Sequence, residues 1–107
     1  MELAKGEKAE MDWKELLEGL RKLTKKGPEN IDAWNNLGNA YANLTRHDDA
    51  IAAFREVIRL DPEYADAWYN LGILYAVCAD QSAALNAACE LRRLDPERAD
   101  KLFELVT

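Results

Sequence analysis

IDAWNNLGNAYANLTRHDDAIAAFREVIRLDPEY, residues 31–64, is followed directly by a second stretch of the same length, residues 65–98, that repeats its plan. Laid over one another, the two place Trp34 on Trp68, Leu37 on Leu71, Gly38 on Gly72, Tyr41 on Tyr75, Ala50 on Ala84 and Pro62 on Pro96. Of the 34 aligned pairs, 16 are identical. Such self-similarity at a fixed period marks a repeat architecture, in which each unit buries its apolar face on the next.

Each unit reads as two helices. In the first, Trp34, Leu37, Tyr41 and Leu44 recur at spacings of three and four and define one buried face over about residues 31–44. Gly38 costs about 1 kcal/mol of helix propensity relative to Ala in an exposed interior. Its return as Gly72 predicts two backbones in close approach. Thr45-Arg46-His47 forms the turn and Asp48 is the expected N-cap. A second helix then carries Ala50, Ile51, Phe54, Val57, Ile58 and Leu60 to a stop at Asp61-Pro62. The second unit follows the same plan, with Ser82 in the capping place and an alanine-rich second helix containing Ala83, Ala84, Ala87 and Ala88. Ala88 stands where Phe54 stands, which removes a ring's volume from the seam between helices.

These residues resemble the tetratricopeptide repeat pattern of Trp, Leu-Gly two residues on, Tyr, a later Ala, an aromatic and a closing Pro. The first unit meets it in full with Trp34, Leu37, Gly38, Tyr41, Ala50, Phe54 and Pro62, and the second departs from it at Ala88. Full repeats cover about two thirds of the chain. The resemblance implies an all-α solenoid of antiparallel helix hairpins, about six helices in a right-handed superhelical stack. It also implies a concave face that binds other proteins, commonly as peptides, and it implies no reaction.

Outside the two units, residues 1–10 show no helical period and read as a mobile tail. Asp12 and Glu15 have the spacing of a capping box. The helix they would open places Trp13, Leu16, Leu17, Leu20 and Leu23 on one stripe, with Lys25 and Lys26 before Gly27-Pro28. Pro28 lies 34 residues before Pro62, so residues 11–30 are in register with the second helix of a unit whose first helix is missing. Part of Trp13 or Leu17 is expected to be exposed there. Residues 99–107 read as a closing helix with Leu102 in the tryptophan register and Phe103 set to fill the space beside Ala88. Together these segments make one domain over residues 11–107.

The 107 residues are 32% charged and 49% hydrophobic with a net charge of −6, a balance suited to a soluble globular chain. Residues 1–30 hold seven acids and seven bases, so the repeats carry all of the excess negative charge. An acidic surface disfavours nucleic acid, whose binding needs clustered Lys or Arg, and favours a basic or neutral protein segment. No stretch is long and apolar enough to span a bilayer. The first eleven residues lack the apolar core of a secretory signal, so a cytoplasmic location is expected. Cys78 and Cys89 read as free thiols. His47, the single histidine, reads as a solvated turn residue, and the glycines stand singly. Neither a hydrolytic triad, a metal site nor a phosphate loop is assembled by these residues, so a non-catalytic protein without cofactor is expected.

The ligand face implied by the family resemblance lies on the first helix of each unit, away from the Trp and Tyr. In the first unit it offers Asp32, Asn35, Asn36, Asn39 and Asn43, and in the second Asp66, Tyr69, Asn70, Ile73 and Val77. One half is rich in amides, which both donate and accept hydrogen bonds; the other is largely apolar. Asn is a poor helix former, so Asn35, Asn39 and Asn43 on one helical face ask for a reason beyond propensity, while Asn36 and Asn70 match asparagines with which some members of the resembled family grip a peptide backbone. The carboxylate clamp of some family members is matched only by Asn39 and Asn70. Its basic positions fall on Asn35, Asp100 and Glu104, which would not hold an acidic tail. Two functions are consistent with the residues: an adaptor that binds a partner's peptide or helix, and a self-assembly module that pairs chains through the incomplete terminal repeats. The first unit also lies close to the family's average pattern, as an engineered or excised scaffold would.

Overall fold

The structure, a computed structural model, describes residues 2–107, with side chains from Trp13 onward. Among the described residues there are six helices and no strand: α1 (Glu2–Lys26), α2 (Ile31–Asn43), α3 (His47–Leu60), α4 (Ala65–Val77), α5 (Gln81–Leu94) and α6 (Pro96–Val106). α2 with α3 and α4 with α5 form consecutive antiparallel hairpins. α1 packs on α2, and α6 lies against both α4 and α5.

Inside each hairpin the turn has one geometry used twice. Thr45 and Ala79 adopt positive φ, 58° and 61°. The Arg46 N–H then reaches back to the Tyr41 carbonyl at 2.9 Å and the Asp80 N–H to the Tyr75 carbonyl at 2.8 Å. This is the Schellman closure, which satisfies the last free carbonyls of a helix through a left-handed residue. It ends α2 and α4 abruptly, so α3 and α5 start at His47 and Gln81, with Arg46 and Asp80 as their N-caps. The expected caps Asp48 and Ser82 sit inside the first turn instead, because the left-handed residue brings the chain into helical register two residues sooner. Asp80 accepts from the Ala83 N–H at 3.2 Å, and Asn30 caps α2 by accepting from the Ala33 N–H at 3.1 Å.

Both ends depart from expectation. The backbone is helical from Glu2, so α1 runs through Asp12 and does not begin there. The expected mobility of residues 1–10 concerns a segment whose side chains lie outside the described residues. At the other end, Asp95 accepts from the Arg98 N–H at 3.2 Å and Pro96 takes the first helical position. Proline suits that position because its missing N–H would have had no helical partner. α6 therefore starts three residues before the expected 99.

The buried side chains form two clusters, one running from Leu17 and Leu20 through Leu37, Tyr41, Phe54 and Val57 to Leu71, the other joining Ala88, Leu91, Ala99 and Leu102. At Gly38 a Cβ would lie 2.8 Å from ring atoms of Phe54, a distance real contacts do not reach, which explains the glycine. At Gly72 a Cβ would fall on the methyl groups of Leu102. Leu102, fully buried, thus takes the place that Ala88 leaves empty. Phe103 does not; it stays half-buried with the Arg92 guanidinium 4.7 Å from its ring centre. Trp34 and Trp68 are also only half-buried. Each donates its indole N–H, at 2.8 Å, to the carbonyl of the preceding loop's proline, Pro28 or Pro62, and so ties a first helix to the unit before it.

In α1 the inward face is Leu17, Leu20 and Thr24, with Trp13 half-buried, whereas Leu16 and Leu23 are about half exposed at 48% and 49%. Of Trp13 and Leu17, one of them expected to be exposed in part, Trp13 is half-buried and Leu17 is covered by α2. Leu16 and Leu23 leave the expected single stripe, because among the described residues no helix stands on their side.

Candidate peptide-binding face

The residues expected to meet a ligand fall at helical spacings on α2 and α4, but the two helices present them differently. On α2, Asp32, Asn36, Asn39 and Asn43 are exposed and Asn35 is half-buried. The Asn43 amide donates to the Asn39 backbone carbonyl at 2.9 Å. Among the described residues, the side chains of Asn36 and Asn39 make no hydrogen bond, and the Asn35 Oδ1 is buried without a partner. A buried acceptor left unmatched costs about 1–3 kcal/mol. The amide face of α2 therefore holds unused hydrogen-bonding capacity.

On α4 much of the expected apolar half is taken up by the fold. Tyr69 and Ile73 pack against the cluster built around Leu102, and with Asn70 they are half-buried. Val77, 58% exposed, remains open. The cover comes from Arg98 at the start of α6. Its guanidinium lies 2.7 Å from Asp66 Oδ1 and 2.7 Å from Asp95 Oδ2, and 5.3 Å from the centre of the Tyr69 ring. The hydrogen bonds that Arg98 donates to Asp95 and Asp66 raise its pKa, and the Arg98 guanidinium and N–H hold the Asp95 carboxyl below its ordinary value. Asp66 already has an internal cation, while Asp32, its counterpart on α2, has Tyr64 in the place of Arg98. Burial raises the Tyr64 pKa, and the nearby charges of Asp32, Asp66 and Asp61 raise it further.

Arg98 was not singled out from the sequence. The signal was there: the last residue of the first unit is Tyr64 and that of the second is Arg98, while Asp recurs as the second residue of both units, at 32 and 66. Nothing in the spacing says that the ion pair reaches back from α6 to α4. Cys78 and Cys89 are free and exposed. Among the described residues no group of His, Cys, Asp and Glu could hold a metal ion, and no helix is long and apolar enough to cross a membrane.

A right-handed stack of antiparallel helix hairpins is the architecture of a helical-repeat protein. Two family models, each described as tetratricopeptide repeat, match residues 31–64 and 53–91, more than half of the chain between them. The chain belongs to the tetratricopeptide repeat family. No curated protein sequence matches it. Among solved structures, it is similar to the TPR2B domain of yeast Sti1 in complex with an Hsp70 peptide, at 22% identity and a TM-score of 0.81 over 95% of this chain and 88% of that one. It is similar to the first TPR of Spaghetti (RPAP3) bound to the HSP90 peptide SRMEEVD, at 20% identity and a TM-score of 0.80, covering 95% and 85% of the two chains. YrrB, a TPR protein with an unusual peptide-binding site, is 27% identical with a TM-score of 0.76 over 82% of this chain and 46% of that one.

Proposed function

We propose that this chain is a non-catalytic protein-interaction adaptor whose concave face holds a peptide or helix of a partner, with the asparagines of α2 as the main contacts. The observation that carries this reading is the unused hydrogen-bonding capacity of Asn35, Asn36 and Asn39 on one helical face. Helix stability does not explain them, since Asn is a poor helix former. A carboxamide that donates to a C=O and accepts from an N–H is suited to gripping a peptide backbone. Asn70 supplies the matching group on α4, and Val77 an apolar contact at the far end.

The ligand's charge follows from what surrounds these amides. Asp32 is exposed at the start of α2, and the repeats carry the net negative charge of the chain. A basic or neutral segment fits this field better than the acidic SRMEEVD peptide bound by the Spaghetti neighbour. At the positions of the family's carboxylate clamp, this chain has Asn35, Asp100 and Glu104, and the last two are exposed acids. The test is a fluorescence-anisotropy screen of short labelled peptides, basic, neutral and acidic, followed by titration of the best binder. Asn36→Ala with Asn70→Ala should weaken binding at least tenfold while leaving the circular dichroism unchanged. Equal affinity in the folded double variant, or preferential capture of SRMEEVD, overturns the assignment.

A further inference from the structure

In α3, Ala50, Ala53 and Val57 are 0%, 2% and 0% exposed, and in α5 the matching Ala84, Ala87 and Leu91 are 0%, 1% and 0% exposed. In each hairpin this stripe is covered by the neighbouring helices, α6 among them, since Leu91 clusters with Ala99 and Leu102. Moving back another 34 residues reaches Leu16, Gly19 and Leu23 of α1. There the same face is bare: the two leucines are about half exposed, at 48% and 49%, and a Cβ on Gly19 would meet nothing within 4 Å. α1 is a second helix without a first.

α6 is the converse. Leu102 falls in the register of Trp34 and Trp68, so α6 is a first helix. In α2 and α4, Ala33 and Leu37 or Ala67 and Leu71 are all buried. Their counterparts in α6 are Lys101 and Leu105, both exposed, Leu105 at 62%. Leu105 lines a surface depression with Ala76, Ala79, Gln81 and Val106.

We propose that the bare face of α1 is covered by α6 of a second copy of this chain, so that α6 and the partner's α1 complete one repeat hairpin across the contact. Charge selects this pairing over the symmetric one. Residues 13–26 carry five bases and two acids, whereas α6 exposes Glu97, Asp100 and Glu104 against the single exposed base Lys101; its Arg98 is held by Asp66 and Asp95, and Asp100 lies 3.9 Å from Arg92 of α5. Two α1 faces brought together would set like charges against each other. In the antiparallel sense of the other hairpins, Glu97 and Asp100 at the start of α6 lie beside Lys22, Lys25 and Lys26 at the end of α1. Leu105 then sits over the gap at Gly19, between Leu16 and Leu23. The contact is head-to-tail, and each copy keeps a free end, so growth does not stop at a dimer. One pair of short helices is a small interface, below about 1,200 Å², and small interfaces are weak and transient.

Sedimentation velocity of the 107-residue chain over a concentration series reaching about 1 mM, the range of weak contacts, reads this directly. The weight-average mass should climb past that of a dimer and fall back in high salt. Leu23→Glu and Leu105→Glu change exposed positions on the two faces, so both variants should keep the wild-type circular dichroism. Each alone should remain monomeric. Mixed in equal amounts they retain one intact α6 and one intact α1, and should form a heterodimer and nothing larger. A wild type that stays monomeric throughout overturns the proposal. So does a plateau at the dimer, which would mean a symmetric contact, or association of the wild type with none in the mixture.

Discussion

Leu102 packs against Gly72 as Phe54 packs against Gly38, so one hairpin closes its seam with its own second helix and the other borrows a side chain from the helix that follows. The borrowed contact makes Ala88 correct for this chain although it departs from the family pattern. Restoring the ring with Ala88→Phe should destabilise by about 1–3 kcal/mol, the range for overpacking. Leu102→Ala should cost about 2–5 kcal/mol. Because both alter one space, the double variant should be more stable than the sum of the two predicts by about 1 kcal/mol or more. Urea denaturation of the four proteins gives the coupling, and strict additivity would separate the two sites.

Thr45 and Ala79 hold left-handed backbone without being glycine. That conformation costs an L-residue with a Cβ about 1–2 kcal/mol, and Thr is β-branched besides. Thr45→Gly and Ala79→Gly should each stabilise the folded chain, by roughly 0.5–1 kcal/mol once the greater freedom of unfolded glycine is subtracted. A rise in the thermal midpoint for each checks this, with the larger gain at Thr45.

The Asp95 carboxyl accepts from the Arg98 side chain and backbone, which hold its pKa below the ordinary 3.8. A carboxyl whose pKa is lower in the folded chain contributes stability above its unfolded value, and that contribution is lost as pH falls through the folded value. The stability difference between wild type and Asp95→Asn should therefore be constant at neutral pH and shrink in acid, below pH 3.8. Urea melts across an acid series measure it, and a difference unchanged down to the folded-state midpoint contradicts the assigned pairing.

For a basic peptide on the concave face, the two repeated aspartates should not be equivalent. Asp66 is paired with Arg98 at 2.7 Å, and Asp32 has no such partner among the described residues. Asp32→Asn should weaken binding several-fold and Asp66→Asn much less, while Arg98→Ala should strengthen it by freeing Asp66. Isothermal titration with one lysine-containing peptide against the three variants ranks them, and equal losses at the two aspartates would show that Arg98 does not withhold Asp66.

The positions that could be read in advance were those fixed by local chemistry. Gly38 and Gly72 announced a close approach, and the aspartate and proline at 61–62 and 95–96 announced the ends of α3 and α5. What the linear pattern missed was decided between elements. Phe103 and Leu102 are adjacent and both apolar, and only the angle at which α6 leaves Asp95 chooses which one reaches Gly72. Leu16 and Leu17 are likewise neighbours on one apolar run. Leu17 is buried because α2 lies on its side, and Leu16 is not because no helix of the described residues lies on its own.

The 34-residue repeat in residues 31–98 determined by itself that this chain is a stack of helical hairpins, since a period and an apolar stripe are properties of the chain alone. It also placed the asparagines of α2 on one face. Tertiary structure decided which of those faces stay open: Arg98 crosses from α6 to α4, pairs with Asp66 and lies beside the Tyr69 ring, and the same stacking leaves Leu16 and Leu23 of α1 about half exposed. Neither follows from spacing, because burial is set by what stands opposite a residue and not by the residue's place in its own helix.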